Sequence, residues 1–421
     1  MKNKESNIIN LGCRLNIYEG EVIKSLKKKN NINNYTIINS CAVTEVAEKK
    51  VCYEIRKSKK NYPSRKIILT GCAAQINPSK YEEMEEVYLV IGNNEKLDEK
   101  IWKNINQSNA TIVDDIFKVS KTHRHLIEKF EGKARAYVEI QQGCNHRCTF
   151  CVIPFGRGNS RSVPIDTIVE RINLLVNNGY NEVVLTGVDI TDYGNDLPNS
   201  QNLFQLIKRI LNTIPKLKQL RLSSIDCGEI NDDFWNLLSE KRLMPHFHLS
   251  LQAGNDLILK RMKRRHTKKQ AIKFCSNVRK LRKDVVFGPD LIAGFPTEDD
   301  NMFADTVDMI QQCNLTHLHI FPFSARNSTP ASRMPQIPIN IIKKRAKILR
   351  NLGKKNLLNY LNSQIGKIEK VLIEHSGNVL SKGKSQHFTK IEIPKKLNEG
   401  SIVNCIICKV NKDISTASLI S

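Results

Sequence analysis

Three cysteines crowd into one short run, Gly143-Cys144-Asn145-His146-Arg147-Cys148-Thr149-Phe150-Cys151. Any fold this chain adopts has to present that loop on a rigid support. Gaps of three and then two residues let the loop wrap three corners of a cubane. Three thiolates hold three irons of a [4Fe-4S] cluster and leave the fourth iron without a protein ligand. An open iron is a place for chemistry. Phe150, immediately before the last cysteine, offers an aromatic ring to cover the cluster or a ligand beside it. The competing reading is a structural zinc site with His146 as fourth ligand, whose spacing fits poorly.

The chain has 421 residues, room for two or three domains with separate cores. No apolar run is long enough to span a bilayer. Met1–Asn10 carries charges and no apolar core, so it does not read as a secretory signal, and the expected compartment is the cytoplasm. Twelve cysteines exceed what packing needs and are too few for a disulfide scaffold of this length, which favours metal or cluster binding. A net charge of +24 favours a polyanionic partner, with nucleic acid the leading candidate, although lysine-rich composition alone also raises charge.

The first part alternates strand and helix patterns. Asn7–Leu11, Tyr35–Asn39, Lys66–Thr70 and Glu86–Gly92 predict strands; Glu21–Lys28 and Glu45–Lys59 predict helices. This order predicts an open, parallel, doubly wound α/β sheet over residues 1–106. Cys13, Cys41 and Cys72 each stand just past the carboxyl end of a strand, one βα unit apart. Such ends share one edge of a parallel sheet, where α/β folds bind ligands. One cysteine there is ordinary packing. Three at corresponding positions can hold a second, again three-coordinate, cluster.

Gln107–Lys133 is polar and weakly patterned and predicts a linker. Over residues 134–358, Ala136–Ile140, Glu182–Leu185, Gln219–Leu222, His246–Leu251, Val285–Ile292 and His317–Phe321 predict strands with helical segments between them. Six parallel βα units imply a partial (β/α)6 barrel, open on one side, with the cysteine loop at its carboxyl-terminal face. Beyond a basic helix at Ile341–Leu358, residues 359–421 predict a small β-barrel of about five strands from Lys367–Glu374, Lys390–Ile393 and Ile402–Val410. Cys405 and Cys408 form a lone CxxC whose odd spacing puts them on opposite faces of a strand. They read as packing, as do Cys52, Cys227, Cys275 and Cys313.

Several runs carry a family resemblance. They are Leu11-Gly12-Cys13-Arg14-Leu15-Asn16, Asn39-Ser40-Cys41-Ala42-Val43-Thr44 and Thr70-Gly71-Cys72-Ala73-Ala74-Gln75 in the first part. The central part adds the cysteine loop with Val152 to Ser162, Leu185-Thr186-Gly187-Val188-Asp189, Leu249-Ser250-Leu251-Gln252 and Gly294-Phe295-Pro296-Thr297-Glu298. Over nearly its whole length the chain resembles the methylthiotransferases of the radical S-adenosylmethionine (SAM) superfamily, and its last domain resembles their RNA-binding TRAM module. Arg157 to Ser162 and Thr186 to Asp189 most resemble the branch acting on N6-threonylcarbamoyladenosine at position 37 of tRNA. The branches acting on isopentenyladenosine and on a ribosomal-protein aspartate remain alternatives, as does an RNA-binding iron–sulfur protein without catalysis. Ser324-Ala325-Arg326-Asn327-Ser328-Thr329 departs from the family, lacking an expected Pro and Gly.

The resemblance implies SAM and two [4Fe-4S] clusters: one on Cys144, Cys148 and Cys151, and an auxiliary one on Cys13, Cys41 and Cys72. One SAM methylates sulfur at the auxiliary cluster; another is cleaved to a 5′-deoxyadenosyl radical that activates C2 of the adenine. Phe150, Thr186, Gly187, Asp189, Gln252, Asp290 and Gly294 are candidate SAM contacts, against the plainer reading that they satisfy loop backbone. Arg157, Arg161, Lys260, Arg261, Lys263, Arg264 and Arg265 are candidate contacts to the tRNA anticodon stem-loop. An electron donor of flavodoxin or ferredoxin type is expected, no membrane, and a monomer.

Overall fold

A computed structural model describes residues 8–107, 111–198 and 201–420. Asn7 of the first predicted strand and residues 108–110 of the predicted linker therefore lie outside the described residues, as does most of the segment read as lacking a secretory signal.

The amino-terminal sheet contains β1 (Ile8–Asn10), β2 (Tyr35–Ser40), β3 (Lys66–Gly71) and β4 (Val87–Val90), all parallel and adjacent in that order. Alternation along β2 and β3 feeds two cores. Ile37 and Ile68 face Tyr18, Val22 and Ile23 of the helix Arg14–Lys29. Ile38 and Leu69 face Val51 and Ile55 of the helix Glu45–Asn61. Both faces are covered, as a doubly wound sheet requires, but the strand order never reverses, so no switch-point crevice forms. The first helix starts at Arg14, well before the predicted Glu21, directly behind Cys13. Its last turn holds Lys27, Lys28 and Lys29, which suit the negative end of the helix dipole.

The central wall contains β5 (Ala136–Glu139), the short pair β6 (Gln141–Gln142) and β7 (Arg161–Ser162), then β8 (Glu182–Thr186), β9 (Gln219–Leu222), β10 (His246–Gln252), β11 (Val286–Ala293) and β12 (His319–Pro322). β5-β8-β9 and β10-β11-β12 are parallel, and parallel bridges Leu220–Leu243 and Ile225–Leu249 join the two groups into one six-stranded partial barrel. The antiparallel pair β6–β7 was not anticipated. Two residues per strand give no periodic signal, yet they clamp both ends of the segment 143–160.

The segment predicted as a linker is packed structure. Ile112 bridges Ile91; Ile116, Ile127 and Phe130 are buried; and Arg171 donates to the carbonyls of His123 and His125. Its apolar residues are too widely spaced to register as a pattern.

The last five strands, β13 (Ile368–Ser376), β14 (Ser381–Ser385), β15 (Lys390–Ile393), β16 (Ile402–Asn411) and β17 (Ile414–Leu419), close into a barrel in the order β13-β14-β15-β17-β16. β14 reads Ser-Lys-Gly-Lys-Ser and has no apolar residue to announce it. Cys405 is buried and Cys408 exposed, on opposite faces as predicted. The β14–β15 loop pushes Phe388 against His246, where β10 begins, with ring centroids 5.3 Å apart. Arg135 and Arg221 lie 5.4 and 5.2 Å from that ring, and Arg221 also donates to the carbonyls of Ser385 and Gln386. Among the described residues, no helix is long and apolar enough to cross a membrane.

Candidate active site

The cysteine loop is shaped by its backbone. Gly143 sits at φ +68°, and a Cβ there would run into the Asn159 carbonyl, so only glycine lets the two ends of the loop close. Gln141 organises the base: its amide donates to the Gly143 carbonyl at 2.7 Å, and its Oε1 accepts from the amides of Val188 and Asp189. One side chain thus registers the cysteine loop against the loop after β8. Thr149 ties the far side down, its hydroxyl donating to the Arg261 carbonyl at 2.8 Å.

Cys144, Cys148 and Cys151 open together on a cavity of about 300 Å³ at the carboxyl-terminal end of the barrel strands. Burial pushes the Cys144 thiol up to about 12, helped by the Asp189 carboxylate, whose Oδ2 lies 3.7 Å from its sulfur. Burial likewise raises Cys151 to about 12, and raises Cys148 against the pull of Arg264. Arg264 donates to Cys148 Sγ at 3.3 Å and is held by Asp226 Oδ2 at 2.5 Å. Ligating iron would displace the thiol protons, and this cation stands where a thiolate would need one.

Of the expected SAM contacts, Phe150, Asp189, Gln252 and Asp290 line this cavity. Gln252 is held at φ +69°, where β10 bulges, a conformation that costs a non-glycine residue about 1 kcal/mol or more. Asp290 is oriented through His248, whose Nε2 lies 3.1 Å from Asp290 Oδ1 and whose Nδ1 lies 2.6 Å from Ser224 Oγ. Phe150 packs edge-on against Phe295. Thr186, Gly187 and Gly294 do not line the cavity. Gly187 packs under Gln141, Gly294 faces Ile342 with its amide given to Glu298, and the Thr186 carbonyl accepts from Ile140. These three shape the walls from behind.

Cys13, Cys41 and Cys72 stand near one another at the strand ends, Cys41 feeling the charges of both Cys72 and Cys13. Gly12, at φ +94°, leaves the gap that Cys41 fills: a Cβ there would sit 2.7 Å from Cys41 Sγ. Ser40 Oγ accepts from the amides of Ala73 and Ala74, fixing the helix that begins at Cys72. Burial raises the Cys41 thiol to about 12, with Cys72 next in effect. The short helix Ile153–Arg157, which continues the cysteine loop, packs on this triad: a Cβ on Gly156 would sit 3.2 Å from Cys72 Cβ. Val43 and Thr44, just past Cys41, line the cavity opposite the barrel. A shallower groove of about 830 Å³ runs along the helix Glu45–Asn61 and holds none of these six cysteines.

Zinc with Zn–S bonds of 2.3 Å would draw thiolates to within about 4 Å of one another. Among the described residues, Asp226–Cys227–His266 and His248–Asp290–His319 bring their ligand atoms within 4.8 Å of one another, and neither cysteine triad does so. His146, the fourth ligand that zinc would need, accepts from Arg265 Nε at 2.7 Å through Nδ1.

The expected RNA contacts need correction. Arg157 is 2% exposed and committed to Glu19, Asn16 and Gln142. Arg161 is 6% exposed and donates to the carbonyls of Arg157 and Asn159. Arg264 belongs to the cavity; Arg265 is paired with Asp189 and Glu229; Arg261 donates to Thr297 Oγ1. The basic run is no continuous helix either, because the helix ends at Arg261 and Lys263 turns at φ +59°. Lys260 and Lys263 remain exposed. Sequence reasoning missed Glu19, Asn93, Lys96 and Gln141. Asn16 stood inside a quoted motif, but charge counting has no means of telling a buried arginine from a solvated one.

Residues 138–310 match the radical SAM superfamily, and residues 5–92 match uncharacterized protein family UPF0004. The chain is 48% identical over 401 residues, 95% of its length and 94% of the relative's, to threonylcarbamoyladenosine tRNA methylthiotransferase MtaB of Rickettsia prowazekii. It is 29% identical to tRNA-2-methylthio-N(6)-dimethylallyladenosine synthase of Rickettsia canadensis, covering 98% of both. The fold is similar to that of the radical SAM methyltransferase TsrM of Kitasatospora setae, with TM-score 0.52 and 14% identity over 74% of this chain and 66% of that one. With its cysteine loop at the mouth of a partial barrel and a second triad beside it, the chain belongs to the radical SAM methylthiotransferase family.

Proposed function

We propose that this enzyme adds a methylthio group to C2 of N6-threonylcarbamoyladenosine at position 37 of tRNA, with SAM, one [4Fe-4S] cluster on Cys144, Cys148 and Cys151, and an auxiliary cluster on Cys13, Cys41 and Cys72. One observation carries the reading: the continuation of the first cysteine loop packs directly on Cys72, so the second triad stands beside the loop whose three thiols open on the cavity, and Val43 and Thr44, just past Cys41, line that cavity. Three ligands at each site leave one open iron for SAM and one for sulfur. Reductive cleavage of SAM supplies the radical needed at an unactivated C–H position. The chain's own part is placement. Asp189, Gln252 and Asp290 offer oriented acceptors and donors to SAM, while Phe150 and Ile292 exclude water.

The threonylcarbamoyl branch is favoured by the 48% identity to a relative named for that nucleoside, against 29% to one named for the dimethylallyl nucleoside. The RNA itself would meet the exposed Lys260 and Lys263 and the terminal barrel, in the cytoplasm, with electrons from a small ferredoxin- or flavodoxin-type donor.

Nucleoside mass spectrometry of bulk tRNA from cells lacking the gene tests the substrate. The 2-methylthio form of threonylcarbamoyladenosine should vanish. Its persistence alongside loss of methylthio-isopentenyladenosine would move the enzyme to the other branch. In the purified enzyme, Cys148→Ala should abolish formation of 5′-deoxyadenosine, whereas Cys41→Ala should spare it and block sulfur transfer. Equal loss in both folded variants would refute the division of labour.

A further inference from the structure

Between the triads lies a buried ionic cluster that none of these steps uses. Glu19, on the helix Arg14–Lys29, is 0% exposed. It accepts from Arg157 at 2.7 and 3.0 Å and from Lys96 at 2.6 Å. Each cation then reaches an asparagine: Arg157 Nη2 to Asn16 Oδ1, and Lys96 Nζ to Asn93 Oδ1, both at 2.6 Å. Each asparagine in turn meets a thiol. Cys13 Sγ lies 3.8 Å from Asn16 Oδ1, and Asn93 Nδ2 donates to Cys72 Sγ at 3.6 Å. Asn93 also donates to the Gly156 carbonyl, next to Arg157 in the helix that continues the other cysteine loop.

Burying ions costs several kcal/mol each, and apolar packing would hold such an interface at least as well. The arrangement is therefore better explained by its field than by its stability. Arg157 and Lys96 are the cations nearest Cys13 and Cys72, and Glu19 is the carboxylate that opposes them directly; Gln142 links Glu19 onward to the buried Glu139. We propose that Glu19, Arg157 and Lys96, with Asn93 as the N–H donor to Cys72, are positioning residues that set the reduction potential of the auxiliary cluster. This rests on the two-cluster reading. Reduction adds one negative charge to a cluster. In a water-poor site neighbouring cations and N–H···S bonds favour that step, and Glu19 opposes it.

The test uses the full chain carrying Cys144→Ala, Cys148→Ala and Cys151→Ala, reconstituted anaerobically so that only the auxiliary cluster remains. About four irons per chain are expected; an iron-free protein would refute the two-cluster reading itself, before any question of tuning. Redox titration followed by electron paramagnetic resonance then reads the potential. Glu19→Gln should raise the reduced-to-oxidised ratio at fixed potential at least tenfold, about 59 mV for one electron. Lys96→Gln should lower it by a similar factor, and the double variant should return towards the parent. Iron-loaded single variants that shift in the same direction, or by less than twofold, overturn the proposal. Should a charge variant fail to hold iron, Asn93→Ala decides: a lowered ratio supports tuning, and an unchanged one overturns it.

Discussion

Gly143 shows how much a single residue can constrain. Its φ of +68° and the Asn159 carbonyl behind it leave no room for a methyl group. Gly143→Ala should cost roughly 1–3 kcal/mol of local strain and open the cysteine loop. Iron content after reconstitution should fall by about half, one cluster of two, while circular dichroism stays native. Full iron loading would show that the loop tolerates the side chain. At this scale the sequence was most legible for cysteines, because ligand chemistry leaves few substitutes, and least legible for arginines. Arg157 and Lys263 are chemically alike in a sequence, yet one is buried against Glu19 and the other faces solvent. Burial is decided by what packs above a residue, which local pattern does not record.

At the level of elements, strand centres were predicted well and their junctions poorly. Isoleucine-rich β2 and β3 announce themselves through buried, β-branched runs. The β6–β7 pair and polar β14 are made by hydrogen bonding across the chain and have no such signal. One junction has a pH consequence. Glu298, after β11, accepts from Arg345 of the helix Ile339–Ser363 at 3.0 Å. Burial nevertheless raises its carboxyl to about 7, outweighing Arg345. An acid whose folded value lies above its ordinary one contributes stability that is complete below the ordinary value. That contribution is lost as pH rises through the folded value. Thermal melts of Glu298→Gln and the parent should therefore converge or cross between about pH 4.5 and 7 in favour of the variant, by up to about 3 kcal/mol. A constant difference across that range would mean that Glu298 is ionised throughout.

Across the described residues, the amino-terminal sheet, the central partial barrel and the terminal barrel meet at two interfaces. Phe388 anchors the terminal barrel to the central one, stacked on His246 and ringed by Arg135 and Arg221. Phe388→Ala should remove about 2–4 kcal/mol from that contact. Limited proteolysis should then release the terminal barrel, and tRNA affinity should drop while tRNA-independent SAM cleavage persists. An unchanged digestion pattern would assign the anchoring to Arg221 and Arg135 instead. The other interface joins the amino-terminal sheet to the central barrel through the buried Glu19–Arg157 contact and ends at the cavity, walled by Val43 and Thr44 on one side and by the barrel loops on the other, with Glu48 and Arg326 paired between the same two parts.

That shared chamber has a genetic counterpart. On the proposed two-cluster reading the radical and the sulfur belong to one and the same chain, so two broken copies should not repair each other. Cells expressing Cys41→Ala and Cys148→Ala proteins together should make no more methylthiolated tRNA than cells expressing either alone.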